Sequence, residues 1–159
     1  MNLILHPLSK KEAKPFILLF TPAGLLVDNA SIWAARVDKH TTVYFLNKQS
    51  PVWIETSEYS FPYIGVAEKF AQTLSEVWVD DGAAERVALG ADLMAPGVVR
   101  HKDTTNRLTL IRRADGAVIA VGAWVENYLE ALRQKHGKVA LNIHFNGDRL
   151  DRTLKQALL

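Results

Sequence analysis

The sequence of 159 residues predicts an α+β protein that consists of two small halves. In the first half, a capped helical segment precedes three runs of β-branched and aromatic residues, a pattern typical of an antiparallel meander. In the second half, about six short strand-like segments alternate with small helices, which is compatible with a small barrel. We place the domain boundary at residue 75, giving domains 1–74 and 75–159. No Gly/Ser-rich linker separates them, so the N-terminal α/β domain is expected to pack on the C-terminal barrel.

The first predicted helix begins at a capping box, with Ser9 as the N-cap residue and Glu12 three positions later. Apolar residues from Phe16 to Phe20 supply its buried side. Pro15 lies about two turns into this segment, where a residue without a backbone N–H is expected to kink or shorten a helix.

Three strands and a second helix complete the first half. Turn residues at 38–40 and 47–50 separate segments that have the composition of strands. The predicted strands are Ser31–Val37, Thr41–Leu46 and Pro51–Thr56. After Phe61-Pro62-Tyr63, apolar residues recur at helical spacing and predict an amphipathic helix. These residues are Ile64, Ala67, Phe70, Ala71 and Leu74.

The stretch 78–98 begins the second half and contains several residues that fix the backbone. Its predicted elements are the strand Val77–Val79, the helix Ala83–Leu89, a short strand at 91–95 and the tight turn Pro96-Gly97. Asp80 or Asp81 is expected to be the N-cap residue of the helix. Gly90 follows the helix at the position of a left-handed cap. A loop that is held in this way is a good place to bind a ligand.

The remaining sequence predicts further strands, a hairpin turn and a helix. The strands are Val98–Arg100, Leu108–Ile111, Ala117–Trp124 and Val139–Phe145. Ala114-Asp115-Gly116 is the expected hairpin turn. The helix Glu126–Lys135 is expected to end at His136-Gly137. A turn at 146–148 and a short helix in the tail 149–159 complete the prediction.

The distribution of charge indicates one basic segment. The formal net charge of +2 does not by itself point to nucleic acid. The window 100–113, however, contains five basic residues and only one acidic residue, Asp103. The basic residues are Arg100, Lys102, Arg107, Arg112 and Arg113. We interpret the window as a phosphate-facing patch. The alternative is a hairpin whose solvent face is charged for solubility.

No pattern of a catalytic or metal site is evident. The five histidines include no pair at the i, i+3 or i, i+4 spacing of zinc ligands. The motifs of P-loops, dinucleotide-binding folds and nucleophile elbows do not occur. Asp80 and Asp81 are adjacent, so their side chains diverge and do not form a catalytic pair. We therefore predict a protein that is not an enzyme and that has neither a metal nor a cofactor.

Composition and the N-terminal residues favour a cytoplasmic protein that does not enter a membrane. The chain has no Cys, which fits a reducing compartment. No apolar run approaches the roughly 18 residues of a membrane span, and no secretory signal pattern is evident. Four tryptophans lie in predicted strands, so most of them are expected in the core. An exposed one could stack on a base.

The stretch 78–98 also resembles a known family. Val79-Asp80-x-Gly82-Ala83, then Val87, then Gly90 to Val98 are similar to the core motif of the PUA domain, an RNA-binding pseudobarrel named for pseudouridine synthases and archaeosine transglycosylases. The resemblance implies that the helix and the following strand form the RNA surface. The motif residues it brings into this site are Gly90, Ala91, Asp92, Leu93, Met94, Pro96 and Gly97. The alternative is that they only build a corner of the barrel.

Backbone N–H groups of this motif are expected to take phosphates or base edges. Side chains of the basic window are expected to hold the flanking RNA backbone. These side chains are Arg100, Lys102, Arg112 and Arg113.

A narrower resemblance covers nearly the whole chain. The segment Leu8–Glu12 before a helix, Phe61-Pro62-Tyr63 before a second helix, and Leu141–Asp148 are similar to the malignant T-cell-amplified-sequence family, with its archaeal and yeast relatives and the N-terminal half of ligatin. Ala95 departs from this family, which usually has Cys or another residue there.

The narrower resemblance implies a pre-PUA domain before the PUA domain, and binding to RNA, as tRNA or rRNA, and to the small ribosomal subunit. It implies work in non-standard translation initiation, reinitiation or recycling, with a density-regulated-protein-like partner. The alternatives are an accessory RNA-binding factor for RNA modification or ribosome biogenesis, and a scaffold that binds only protein.

Overall fold

The computed structural model describes residues 3–25, 31–104, 106–126, 128–134 and 139–146. Contacts between Cα atoms group the chain into two compact units, which divide between Lys69 and Phe70. The domain boundary at residue 75 stays a prediction. The predicted helix stop at His136-Gly137, the turn around Gly147 and the helix in the tail lie outside the described residues.

The first unit contains a five-stranded antiparallel sheet in the order β1-β2-β3-β4-β5. Its strands are β1 His6–Pro7, β2 Ile32–Asp38, β3 Thr41–Leu46, β4 Ser50–Glu55 and β5 Ser60–Pro62. Strands β2 to β4 confirm the predicted meander. The sequence did not predict β1 and β5, because strands of two or three residues are too short to show an alternating pattern.

Helix α1 (Lys10–Phe20) begins at the predicted capping box. The Glu12 N–H donates to Ser9 Oγ at 3.2 Å, and the Ser9 N–H donates to Glu12 Oε1 at 3.1 Å. The Ser9 backbone N–H and then its hydroxyl lower the pKa of Glu12. The carboxylate is therefore held in its charged form, which also complements the positive end of the helix dipole.

Pro15 lies inside α1, and the helix continues past it to Phe20. Of the two predicted effects, a kink or a shortening, the shortening does not occur. The ring of Phe16 lies 4.3 Å from that of Tyr44 between centroids, and Phe20 is fully buried. Burial of these rings offsets the hydrogen bond that Pro15 cannot make.

The segment Ile64–Phe70 is a 3₁₀ helix, where the sequence predicted an α-helix. The apolar spacing was interpreted correctly, since Ala67, Phe70 and Leu74 are buried. The segment connects β5 to β6, and 3₁₀ geometry is frequent in connectors between regular elements.

The second unit contains a six-stranded sheet in the order β7-β11-β10-β9-β6-β8. Its strands are β6 Ser75–Val79, β7 Leu93–Met94, β8 Val98–Lys102, β9 Leu108–Arg112, β10 Val118–Trp124 and β11 Val139–Asn146. Its helices are α2 Asp81–Ala88 and α3 Tyr128–Gln134. Neighbouring strands are antiparallel except β6 and β9, which are parallel. The six predicted strands are confirmed, and β6 lies between β8 and β9.

The core of the second unit forms where α2 and α3 pack against this sheet. Its buried residues include Val77 and Val79 from β6, Val87 from α2, Leu93 from β7 and Trp124 from β10. Removal of such side chains from water is the main favourable term in folding. The core therefore fixes the position of α2 and of the loops at both ends of β6.

Candidate nucleic-acid interface

The second residue of the PUA-like motif, Asp80, is the N-cap residue of α2. Asp80 Oδ1 accepts a hydrogen bond from the Ala83 N–H at 2.8 Å, as the sequence predicted. The Asp80 N–H donates to the Gly97 carbonyl at 3.0 Å. Asp80 therefore ties the start of the helix to the turn that ends the motif.

Gly90 ends α2 with a φ of 101°, which confirms the predicted left-handed cap. The Gly90 N–H donates to the Val87 carbonyl at 2.9 Å, and the Ala91 N–H donates to the Arg86 carbonyl at 3.1 Å. Both donors are thus used to close the helix. The binding of phosphates or base edges by the motif stays a prediction, and the N–H groups of Gly90 and Ala91 are already engaged within the chain.

Burial separates the seven motif residues into three sets. Leu93 and Gly97 are buried, so their side-chain positions face the core. Met94 is half-buried. The exposed residues are Gly90, Ala91, Asp92 and Pro96. The predicted contact surface is therefore smaller than the motif, and Leu93 and Gly97 build the fold.

The basic window 100–113 is not a hairpin. Arg100 and Lys102 lie on β8, Arg112 lies on β9, and β6 separates the two strands. The hairpin of this region joins β9 to β10 instead. The sequence could not show this, because the insertion of β6 depends on pairing between distant segments.

Arg112 is buried, with 6% of its surface exposed. Its Nε and Nη2 donate to Glu76 Oε1 at 2.9 and 2.6 Å, and its Nη1 donates to the Gly116 carbonyl at 2.8 Å. This ion pair joins β6, β9 and the hairpin turn. The charge of Arg112 is therefore used inside the protein, and we remove it from the candidate surface.

Arg113 is half-exposed and pairs with Asp115 at 3.0 Å across the hairpin turn. The pKa of Asp115 is lowered, first because its carboxylate accepts the Ala117 N–H and also because of the Arg113 charge. Arg113 remains at the surface, but an acidic neighbour partly neutralises it.

The exposed cations of β8 form the clearest basic surface in the described part of the second unit. We define the basic edge as Arg100, His101 and Lys102, which are exposed on the edge strand β8. The Arg100 guanidinium lies over the ring of Trp78, 3.8 Å from its centroid. Trp78 is half-buried on β6, directly opposite Arg100 in the sheet register. This cation–π contact holds the guanidinium in a fixed place.

Trp78 was predicted only as one of four strand tryptophans, most of them expected in the core, and the sequence did not connect it with Arg100. His101 lies on the same strand, with its Nδ1 2.8 Å from Asp103 Oδ1. Side chains of a strand alternate between its two faces, so Trp78 points away from the face of the buried Val77 and Val79. This alternation could have identified Trp78 as a residue outside the core.

Residues 75–145 match the family model of the PUA domain. The matched range begins at the first residue of β6 and ends within β11. The pseudobarrel predicted for this half of the chain is confirmed, and a PUA domain implies RNA binding. No helix in the described part of the chain has the length and apolar character needed to cross a membrane.

The solved structures that resemble the chain include three proteins from archaea. A conserved PUA domain protein from Thermoplasma acidophilum is 28% identical with a TM-score of 0.69, over 94% of this chain and 98% of that chain. A PUA domain from Aeropyrum pernix K1, solved as a tartrate complex, is 22% identical with a TM-score of 0.72, over 98% and 92%. A hypothetical protein from Pyrococcus horikoshii OT3 is 23% identical with a TM-score of 0.69, over 90% and 94%. No curated protein matches this chain.

Proposed function

We propose that this chain is an RNA-binding factor that acts in translation, and that its PUA domain binds the small ribosomal subunit or tRNA in non-standard initiation, reinitiation or recycling. The observation that carries the RNA part is the basic edge on the PUA domain, with Arg100 stacked on Trp78. The translation part rests on the resemblance to the malignant T-cell-amplified-sequence family.

The basic edge has the chemistry of a phosphate-binding surface. A guanidinium that stacks on an indole uses only its face in that contact. Its N–H groups lie in its own plane and can donate to phosphate oxygens. Lys102 supplies a second, more mobile cation on the same strand. Two such contacts give an affinity that depends on salt and not on base sequence.

The chain acts by binding, not by catalysis, in this proposal. The described residues contain no group of three or more His, Cys, Asp or Glu side chains that could hold a metal ion. A density-regulated-protein-like partner would supply an initiation-factor-like domain. The site of action would then be the cytoplasm.

Co-sedimentation with purified small ribosomal subunits tests the proposal. We expect the chain to pellet with the subunits and to be released as salt rises, because the contacts are electrostatic. Purified tRNA at the same nucleotide concentration is the comparator, and each mixture is run with and without the partner protein.

Binding to free structured RNA without preference for the subunit would favour the alternative, an accessory RNA-binding factor for RNA modification or ribosome biogenesis. Failure to bind either RNA at low salt would refute the proposed function as a whole.

A further inference from the structure

The PUA domain contains an open cleft of about 510 Å³ at the end of β6 opposite α2. It lies where β8 and β10 end and where β6 and β9 begin. Its lining includes Thr104, Asn106, Arg107, Trp124, Glu126 and Tyr128. The volume is in the range of small-molecule sites. The cleft is separate from the PUA-like motif.

One wall of the cleft is held by hydrogen bonds around Ser75, which is fully buried. The Thr104 N–H donates to Ser75 Oγ at 2.9 Å, and Ser75 Oγ donates to the Asn106 carbonyl at 2.8 Å. The Asn106 side chain accepts from the Leu108 N–H at 3.0 Å and donates to the Thr73 carbonyl at 3.1 Å. The described part of this loop is therefore fixed before any ligand arrives.

The opposite wall is an aromatic pair. The rings of Trp124 and Tyr128 are stacked, with centroids 4.3 Å apart and planes inclined by 23°. The Tyr128 hydroxyl donates to Asp103 Oδ2 at 3.2 Å, and the other carboxylate oxygen lies 2.8 Å from His101 Nδ1. Burial, followed by the Asp103 charge, raises the pKa of Tyr128, so the hydroxyl remains a donor. These contacts fix the orientation of the Tyr128 ring and connect the cleft to the basic edge.

Two polar groups of the cleft have hydrogen-bonding capacity to spare. Arg107 donates from Nε to the Trp124 carbonyl at 2.6 Å, and its two terminal nitrogens have no partner among the described residues. The buried indole N–H of Trp124 likewise has no partner in the described part of the chain. The indole N–H is buried, so the exposed Arg107 is the donor that a ligand in the open cleft can reach.

We propose that this cleft binds a single unpaired nucleotide of the RNA, with the base against the Trp124–Tyr128 pair and the phosphate on the terminal nitrogens of Arg107. This inference rests on the RNA-binding part of the proposed function. It adds a subsite that takes one nucleotide extruded from base pairing, at the opposite end of β6 from the PUA-like motif.

The mixture of groups favours a nucleotide over a simple anion or an apolar ligand. The lining of the cleft contains the Arg107 guanidinium and also the Glu126 carboxylate, which would repel a free polyanion. An aromatic pair gives a base the stacking partner that it loses when it leaves a helix. The adjacent basic edge, whose His101 ring lies 5.9 Å from that of Trp124, can hold the next phosphates along the strand.

Titration with the four ribonucleoside 5′-monophosphates and the four nucleosides tests the cleft directly. We expect amide and indole NMR shifts centred on Arg107, Trp124 and Tyr128, and tighter binding of each nucleotide than of its nucleoside. Arg107→Gln should reduce that nucleotide-to-nucleoside ratio to about one, whereas Arg133→Gln, an exposed arginine that does not line the cleft, should leave it unchanged. Tyr128→Leu should weaken binding by about tenfold, while Tyr128→Phe, which keeps the ring, should retain it.

A single-stranded RNA and the same RNA with one abasic nucleotide, moved along the strand, provide the second arm. A position at which the abasic RNA binds more weakly to the wild type, but not to the Tyr128→Leu variant, supports the inference. Shifts centred on other residues, or none at millimolar nucleotide, overturn it. If the chain binds intact and abasic RNA equally, the cleft proposal fails while the proposed function stands. If nucleotides occupy the cleft but neither ribosomal subunits nor tRNA bind, the proposed function fails and the cleft remains.

Discussion

Gly97 lies so close to Ala83 that a Cβ atom built on Gly97 would stand 2.5 Å from the Ala83 Cβ. Real Cβ atoms do not approach each other to this distance. The Ala83 Cβ is attached directly to the backbone of α2, so it cannot rotate out of the way. Packing between the turn and the helix therefore requires a glycine at this position. The φ of Gly97 is not in the left-handed region, so backbone conformation alone does not require one.

We predict that Gly97→Ala destabilises the chain by about 1–3 kcal/mol, the usual cost of forcing extra volume into a packed core. Ala83→Gly should recover part of this loss in the double variant, because it removes the clashing methyl group. Urea unfolding measures all three variants. Gly82→Ala is the matched control, since its Cβ would meet its nearest neighbour at an ordinary 3.6 Å. That change is expected to stabilise α2, and equal losses from both glycine substitutions would contradict the packing argument.

The Glu76–Arg112 ion pair gives a second prediction. Removal of the carboxylate in Glu76→Ala leaves a buried guanidinium without its partner and should cost about 3 kcal/mol in the free energy of unfolding. Glu76→Gln, which keeps an acceptor, should cost less. Arg113→Gln is the comparison, because Arg113 is half-exposed and its pairing is screened by water. Thermal and urea unfolding would show whether the two arginines differ as expected.

The basic edge predicts a change in the salt dependence of RNA binding. The double variant Arg100→Glu/Lys102→Glu should bind RNA more weakly and should lower the slope of log K against log salt by about 0.7 for each lost phosphate contact. Lys10→Glu/Lys11→Glu, on exposed residues of α1, makes the same change in net charge elsewhere. Equal loss from both variants would show that binding follows net charge and not the basic edge.

Tyr44 predicts a loss of stability in alkali. Burial, followed by the charge of Glu55 and a hydrogen bond to it, raises the pKa of Tyr44 from 10.0 to about 12. The folded protein thus favours the neutral Tyr44 phenol, whereas the same phenol in the unfolded chain ionises near pH 10. This contribution to stability is complete below pH 10 and is lost as pH rises toward 12. Urea unfolding between these values should show a steeper decline for the wild type than for Tyr44→Phe.

Features that depend on neighbours in sequence were predicted well. The capping box of Ser9 and Glu12, the N-cap of α2 and the left-handed Gly90 all depend on residues a few positions apart. The meander was recognisable because its strands follow one another and their turns contain characteristic residues. The PUA-like motif was recognisable because it is a continuous stretch.

Features that depend on distant pairing were not predictable in the same way. Arg112 was interpreted as a surface cation because nothing near it in sequence indicates Glu76 as its partner. The alternative of a charged hairpin over the basic window could be raised because the sequence does not show that β6 pairs with both β8 and β9. The Trp124–Tyr128 cleft is assembled from two loops and a helix start, so no single stretch of sequence indicates it.

The strand orders of the two sheets have different consequences during protein synthesis. In the first sheet each strand pairs with the next one along the chain, so pairing can proceed as the strands leave the ribosome. In the second sheet β7 pairs with β11, the last of the described strands. The short strand of the PUA-like motif must therefore wait for the segment Val139–Asn146 before its edge is covered, and a nascent chain that stalls before this point would expose it.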